Sequence, residues 1–120
     1  MTHQFFWTGS VFVRYQHIID LDLATAIAKY LDPHSSTTLL ELGAGCGCYT
    51  TFFKSVGFVT DAFDGTPNMN DLTNEIVQVT DLTKPQSFAQ HDWVISMEVA
   101  EHIPAEHENV FLDNILAYCA

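Results

Sequence analysis

The segment Glu41-Leu42-Gly43-Ala44-Gly45-Cys46-Gly47 carries the clearest chemistry in the chain. An apolar run ends in an acid, three glycines alternate with small residues, and Tyr49, Phe52, Phe53 and Val56 then take up a helical period. This reads as a buried strand, a tight turn and a helix N-terminus. Gly43, Gly45 and Gly47 suit a turn in which a Cβ would block a positive φ or the close approach of a ligand. The helix behind the turn offers unpaired backbone N–H groups and a partial positive charge. Glu41 sets a fixed negative charge beside them. The spacing E-x-G-x-G-x-G differs from the G-x-G-x-x-G turn, whose helix N-terminus cradles a pyrophosphate. An acid this close repels a phosphate and suits a ligand carrying an ammonium group.

Further acids recur at the ends of the expected strands: Asp64, Asp81 and Glu98 follow Glu41 in this respect. Asp is a common turn and cap former, but in an open α/β sheet ligands bind beyond the carboxyl ends of the strands. Asp64 falls seventeen residues after Gly47, near the spacing at which an acid on a second strand accepts ribose hydroxyls. A carboxylate offers two oxygens to such a vicinal pair. Asp61 competes for this role but sits mid-strand. His91 and His107 read as surface residues. Cys46, Cys48 and Cys119 make no disulfide framework and no zinc pattern; they read as small side chains in a reducing compartment.

The elements that must position these groups follow from periodicity and punctuation. Apolar residues from about His17 to Leu31 recur three or four apart, which predicts an amphipathic helix ended by Asp32-Pro33. A strand over Thr38–Leu42 and the helix stopped at Gly57 come next. Phe58 to Phe63 read as a second strand closed by Asp64-Gly65. Thr66 as N-cap with Pro67 at the first helical position starts a short helix. Ile76 to Thr80 predict a third strand and Trp93 to Met97 a fourth, with Lys84-Pro85 and His91-Asp92 between them. A final helix runs from about Pro104 to Ala117. Alternating elements with strands apolar throughout imply α/β architecture, a parallel sheet covered on both faces.

The glycine segment, together with Asp92-Trp93-Val94-Ile95-Ser96-Met97-Glu98-Val99-Ala100-Glu101-His102-Ile103-Pro104, resembles the first and fourth motifs of the class I S-adenosylmethionine-dependent methyltransferases. The resemblance covers Thr38 to about Leu116. It implies a Rossmann-like doubly wound parallel sheet that binds S-adenosylmethionine (SAM). Glu41, Gly43, Gly45 and Gly47 would hold the methionine part, Asp64 the ribose, Asp81 and Leu82 the adenine, with Glu98 on the same rim. Gly65 stands where the family usually packs an apolar side chain on adenine, a contact that Leu82 would supply. In some O-methyltransferases of the family, the E-x-x-E-H pattern holds a divalent metal. Glu98, Glu101 and His102 would then be ligands for Mg²⁺ or Mn²⁺, and the i, i+3, i+4 spacing puts them on one side of a helical turn. Alternatively these residues cap the next helix, or His102 serves as general base, for which its ordinary pKa is suited. The family sheet has seven strands. The resemblance therefore implies residues 1–120 as a SAM-binding domain truncated after the fourth strand and its helix, with 1–16 a lead-in or lid.

The function expected is methyl transfer to a small-molecule acceptor, with O-methylation slightly favoured; the alternative is a non-catalytic binding or regulatory module. Composition narrows the partners. With fifteen acids against four basic residues the net charge is −11, which disfavours nucleic acid and anionic membranes. No basic-then-apolar leader or membrane span is present in the sequence, so a cytoplasmic location is expected. An apolar fourth strand left at the sheet edge is expected to invite a homodimer.

Overall fold

The computed structural model describes residues 20–34, 36–97 and 103–119; the expected lead-in over 1–16 lies outside them. Helix α1 spans Leu21–Leu31. Its start is fixed by Asp20, whose Oδ1 accepts from Leu23 N–H at 3.0 Å, a side-chain N-cap. Asp32 leaves the helix in the left-handed region at φ 49°, its N–H still donating to Ala28 O at 2.9 Å, and Pro33 cannot continue the helix. Strand β1 (Thr38–Leu42) leads into α2 (Cys48–Ser55) and β2 (Val59–Asp64). A single-turn α3 (Met69–Leu72), β3 (Gln78–Val79), β4 (Trp93–Ile95) and α4 (Glu108–Ala117) complete the order, α4 being preceded by a 3₁₀ turn over Ala105–His107.

The four strands form one parallel sheet in the order β3-β2-β1-β4. The chain reverses its direction of travel at β1, so a topological switch point lies between β1 and β4, where ligands bind in open α/β sheets. Side chains alternate across each strand. Leu39 joins Ala28, Phe53 and Phe58 in a cluster under α1 and α2. Leu40 and Leu42 join Leu82 and Phe111 on the other face, with Phe63, Phe88 and Val94 against them. Phe53 is fully buried, with the rings of Phe52 and Phe58 edge-on at 5.5 and 5.7 Å. Burial of such a ring contributes about 1.5–3 kcal/mol. A third cluster of Ala44, Ala62, Met69 and Val77 lies beneath the glycine turn.

Between β3 and β4 the chain crosses the sheet as an extended segment rather than a helix. Asn114 of α4 holds it: Gln86 N–H donates to Asn114 Oδ1 at 3.1 Å, and Asn114 Nδ2 donates to Lys84 O at 3.0 Å. Phe88 then packs between Phe63, tilted at 4.7 Å, and Tyr118, edge-on at 5.4 Å. The amino ends of β1 and β4 are clasped. Asp92 Oδ2 accepts from Thr38 N–H at 2.9 Å, and Asp92 N–H donates to Thr38 Oγ1 at 2.8 Å.

Three expectations need correction. Thr66 does not cap a helix; its N–H donates to Asp64 Oδ2 at 2.9 Å, and α3 begins only at Met69 after Asn68 in the left-handed region. The third strand is shorter than Ile76–Thr80 because Ile76 and Val77 pack inward against Cys46 and Ala44. The paired part of the fourth strand likewise ends at Ile95.

Candidate functional site

The turn after β1 is built around left-handed backbone. Gly43, Gly45 and Gly47 have φ of 84°, 59° and 79°, a region where a side chain costs roughly 1–2 kcal/mol. Gly47 is constrained twice, since a Cβ there would meet Val77 Cγ2 at 3.0 Å and Ile76 Cγ2 at 3.1 Å. The crowding at Gly47 thus comes from the chain's own floor. The turn is pinned to β2, because Gly43 N–H and Ala44 N–H both donate to Phe63 O, at 2.7 and 3.0 Å. Gly47 is the N-cap of α2 and supplies no side-chain cap.

Two carboxylates meet behind this turn. Glu41, on the α1/α2 face of β1, is 3% exposed, and its Oε1 accepts from Thr50 Oγ1 at 2.6 Å. Thr50 lies in the first turn of α2, so this bond ties the helix to the end of β1. Burial pushes the Glu41 carboxyl from an ordinary 4.5 to about 7; the Thr50 hydroxyl opposes the shift and the Asp64 charge adds to it. Asp64 ends β2 and is also buried. Its Oδ1 accepts from Gly45 N–H at 2.9 Å, and its Oδ2 accepts from Thr66 N–H at 2.9 Å. An ionised carboxylate has about four acceptor positions, so each oxygen keeps capacity for another donor. The pair can take a cation or a set of hydroxyls.

The other expected residues are placed differently. Asp81 is exposed, and Oδ1 accepts from Thr83 N–H at 2.9 Å and from the Thr83 hydroxyl. The Thr83 side chain, then its N–H, hold the Asp81 carboxyl below the usual range. Leu82 is buried beside Leu40, Leu42 and Phe111. Glu98, Glu101 and His102 lie outside the described residues. Among the described residues no group of three or more His, Cys, Asp or Glu side chains is arranged to hold a metal ion.

His91 is not the surface residue expected. It is 4% exposed, with Nε2 2.8 Å from Asp61 Oδ2 and Nδ1 2.7 Å from Ala89 O. Asp61 therefore serves the α4 face of the sheet, apart from Asp64. Sequence reading also passed over Thr50, which only the approach of α2 to β1 brings to Glu41. It missed Ser96 too, whose Oγ is buried just past β4 without a hydrogen-bond partner among the described residues. A hydroxyl after a strand is too common a signal to have singled it out.

Comparison with known proteins agrees with this architecture. No family model matches the chain, and no curated protein matches it in sequence. Solved structures do. An amino pentose methyltransferase of Micromonospora echinaspora, with SAM bound, superposes with a TM-score of 0.74 at 15% identity, covering 98% of this chain and 55% of that one. The magnesium protoporphyrin IX methyltransferase of Synechocystis, with bound SAH (S-adenosylhomocysteine), gives 0.67 at 16% identity, covering 82% and 51%. A SAM-dependent methyltransferase of Corynebacterium glutamicum gives 0.68 at 18%, covering 80% and 56%. The chain spans about half the length of these structures. At these identities the likeness is one of fold, and the fold is the Rossmann-like one of the class I SAM-dependent methyltransferases.

Proposed function

We propose that this chain binds S-adenosylmethionine at the carboxyl ends of β1 and β2 and serves methyl transfer to a small-molecule acceptor. The observation that carries the reading is the turn itself. Three left-handed glycines fold the backbone into one crook whose N–H groups are taken up by Phe63, Ala44 and Asp64, leaving Glu41 behind it as the charged group for a cation. Glu41, poised near 7 by burial, gains most from a cationic neighbour, because a positive charge restores its ionised form. An ammonium group held by Glu41 and the turn of Gly43, Gly45 and Gly47 meets that need. Asp64 has acceptor capacity for two vicinal hydroxyls, and Asp81, with Leu82 packed behind it, lies at the next strand end for an exocyclic amine. When bound, the cofactor supplies a methyl group on a sulfonium centre, and the transfer needs mainly proximity and alignment.

The test is calorimetry on the folded chain with S-adenosylhomocysteine and, separately, NAD⁺. S-Adenosylhomocysteine should bind and NAD⁺ should not; tighter NAD⁺ binding would overturn the assignment. Glu98, Glu101 and His102 extend the reading to acid–base or metal chemistry at a substrate hydroxyl. If they hold Mg²⁺ or Mn²⁺, chelation abolishes turnover and either ion restores it, while activity in excess chelator leaves His102 as base or scaffold. Cofactor binding without turnover of any acceptor would assign the chain to the second class, a methyltransferase-like binding module.

A further inference from the structure

Cys46 and Cys48 flank Gly47, and their Sγ atoms are 2.9 Å apart. A disulfide needs about 2.03–2.05 Å, so closure asks each sulfur to move by less than about 0.5 Å. Nothing intervenes: the residue between them is glycine, already at φ 79°. Both cysteines are partly accessible. Cys119, the third, donates to Asp92 O at the amino end of β4, at the opposite end of the sheet from the glycine turn.

We propose that Cys46 and Cys48 form a modification site, a reversible disulfide closed across Gly47 by exchange with a low-molecular-weight disulfide of the oxidised-glutathione class. One protein sulfur, as thiolate, attacks the glutathione disulfide and releases one glutathione thiolate, leaving a mixed disulfide on the protein. The neighbouring thiol then loses its proton to solvent and attacks that protein sulfur, releasing the second glutathione. Two protein thiols are oxidised and one disulfide is reduced to two thiols. Burial, the Cys46 thiol and the Glu41 charge push Cys48 up to about 12. The ring spans only three residues, and strained disulfides are the readily reduced, regulatory kind. Its consequence rests on the proposed function: closing the ring fixes the torsions of the turn between Gly45 and α2, and so alters the cofactor crook.

The experiment uses the full chain with Cys119→Ser, equilibrated in glutathione buffers of rising oxidised-to-reduced ratio. Samples are acid-quenched, alkylated and mapped by mass spectrometry, and affinity for S-adenosylhomocysteine is measured on each form. The expected result is an intramolecular Cys46–Cys48 disulfide that grows with the ratio and is reversed by dithiothreitol. Affinity should fall on the order of tenfold in the oxidised form, within the usual range of coupling between sites. Adding Cys46→Ser should abolish the dependence on the ratio. Two alkylated thiols at the highest ratio, or only mixed disulfides with glutathione, would overturn the modification site. Equal affinity in both forms would overturn the coupling. Failure of S-adenosylhomocysteine to bind either form would overturn the functional reading instead, while the peptide map would still decide the disulfide.

Discussion

On β2, Asp61 and Asp64 lie three positions apart and so face opposite sides of the sheet. Asp64 is covered by the glycine turn and the Thr66 turn, and both its oxygens take backbone N–H groups. Asp61 has a side chain 62% exposed and pairs through one oxygen with the buried ring of His91. The same residue type on one strand thus organises loop backbone on one face and anchors a crossing segment on the other. Burial and donor type, rather than the presence of a carboxylate, separate a site from a strut.

That contrast can be broken by substitution. Asp64→Ala should have the largest effect, since a buried and a part-buried N–H group lose a charged acceptor. Two such hydrogen bonds correspond to about 4 kcal/mol in urea unfolding, accompanied by loss of S-adenosylhomocysteine binding. A stable variant that still binds would show that the turn holds itself.

Glu41 sharpens the comparison through pH. Its native carboxyl titrates at about 7 against an ordinary 4.5, so between these values the folded chain binds more protons than the unfolded one. Stability should therefore be fully present below about pH 4.5 and fall as pH rises through 7, by about 3 kcal/mol from this group. Glu41→Gln should flatten that slope in denaturant titrations. A cationic ligand reverses the preference, so cofactor affinity should rise from pH 6 to 8 in the wild type and not in the variant. An unchanged slope in Glu41→Gln would assign the pH dependence to other groups.

The smallest effect belongs to Asp61→Ala. Its removal leaves Nε2 of the buried His91 ring without a partner, which costs about 1–3 kcal/mol, and S-adenosylhomocysteine affinity should not change. A loss equal to that of Asp64→Ala would erase the distinction between the faces.

The sheet, its alternation with helices and the glycine turn were legible because each rests on local pattern. Asp64 stood out over Asp61 because it closes its strand. What escaped the sequence depended on parts distant in the chain. His91 is buried because the segment before it folds over Phe63 under the hold of Asn114, and no periodicity marks that path. Thr66-Pro67 has the form of a helix start, but Asn68 turns into the left-handed region and the single helical turn begins only at Met69. The packing of Leu82 with Leu40, Leu42 and Phe111, all far from it in sequence, likewise left no local mark.

The clasp between Thr38 and Asp92 has a kinetic consequence. It joins residues 54 positions apart, whereas β1 and β2 are joined by the much shorter crossover through α2. Each doubling of a closed loop adds about 0.6 kcal/mol of lost chain entropy. The β1-α2-β2 unit, with the whole glycine turn inside it, therefore has the cheaper route to order. Docking of β4 closes the longer loop, and the bonds that pin the glycine turn to Phe63 and Asp64 all lie within the shorter unit.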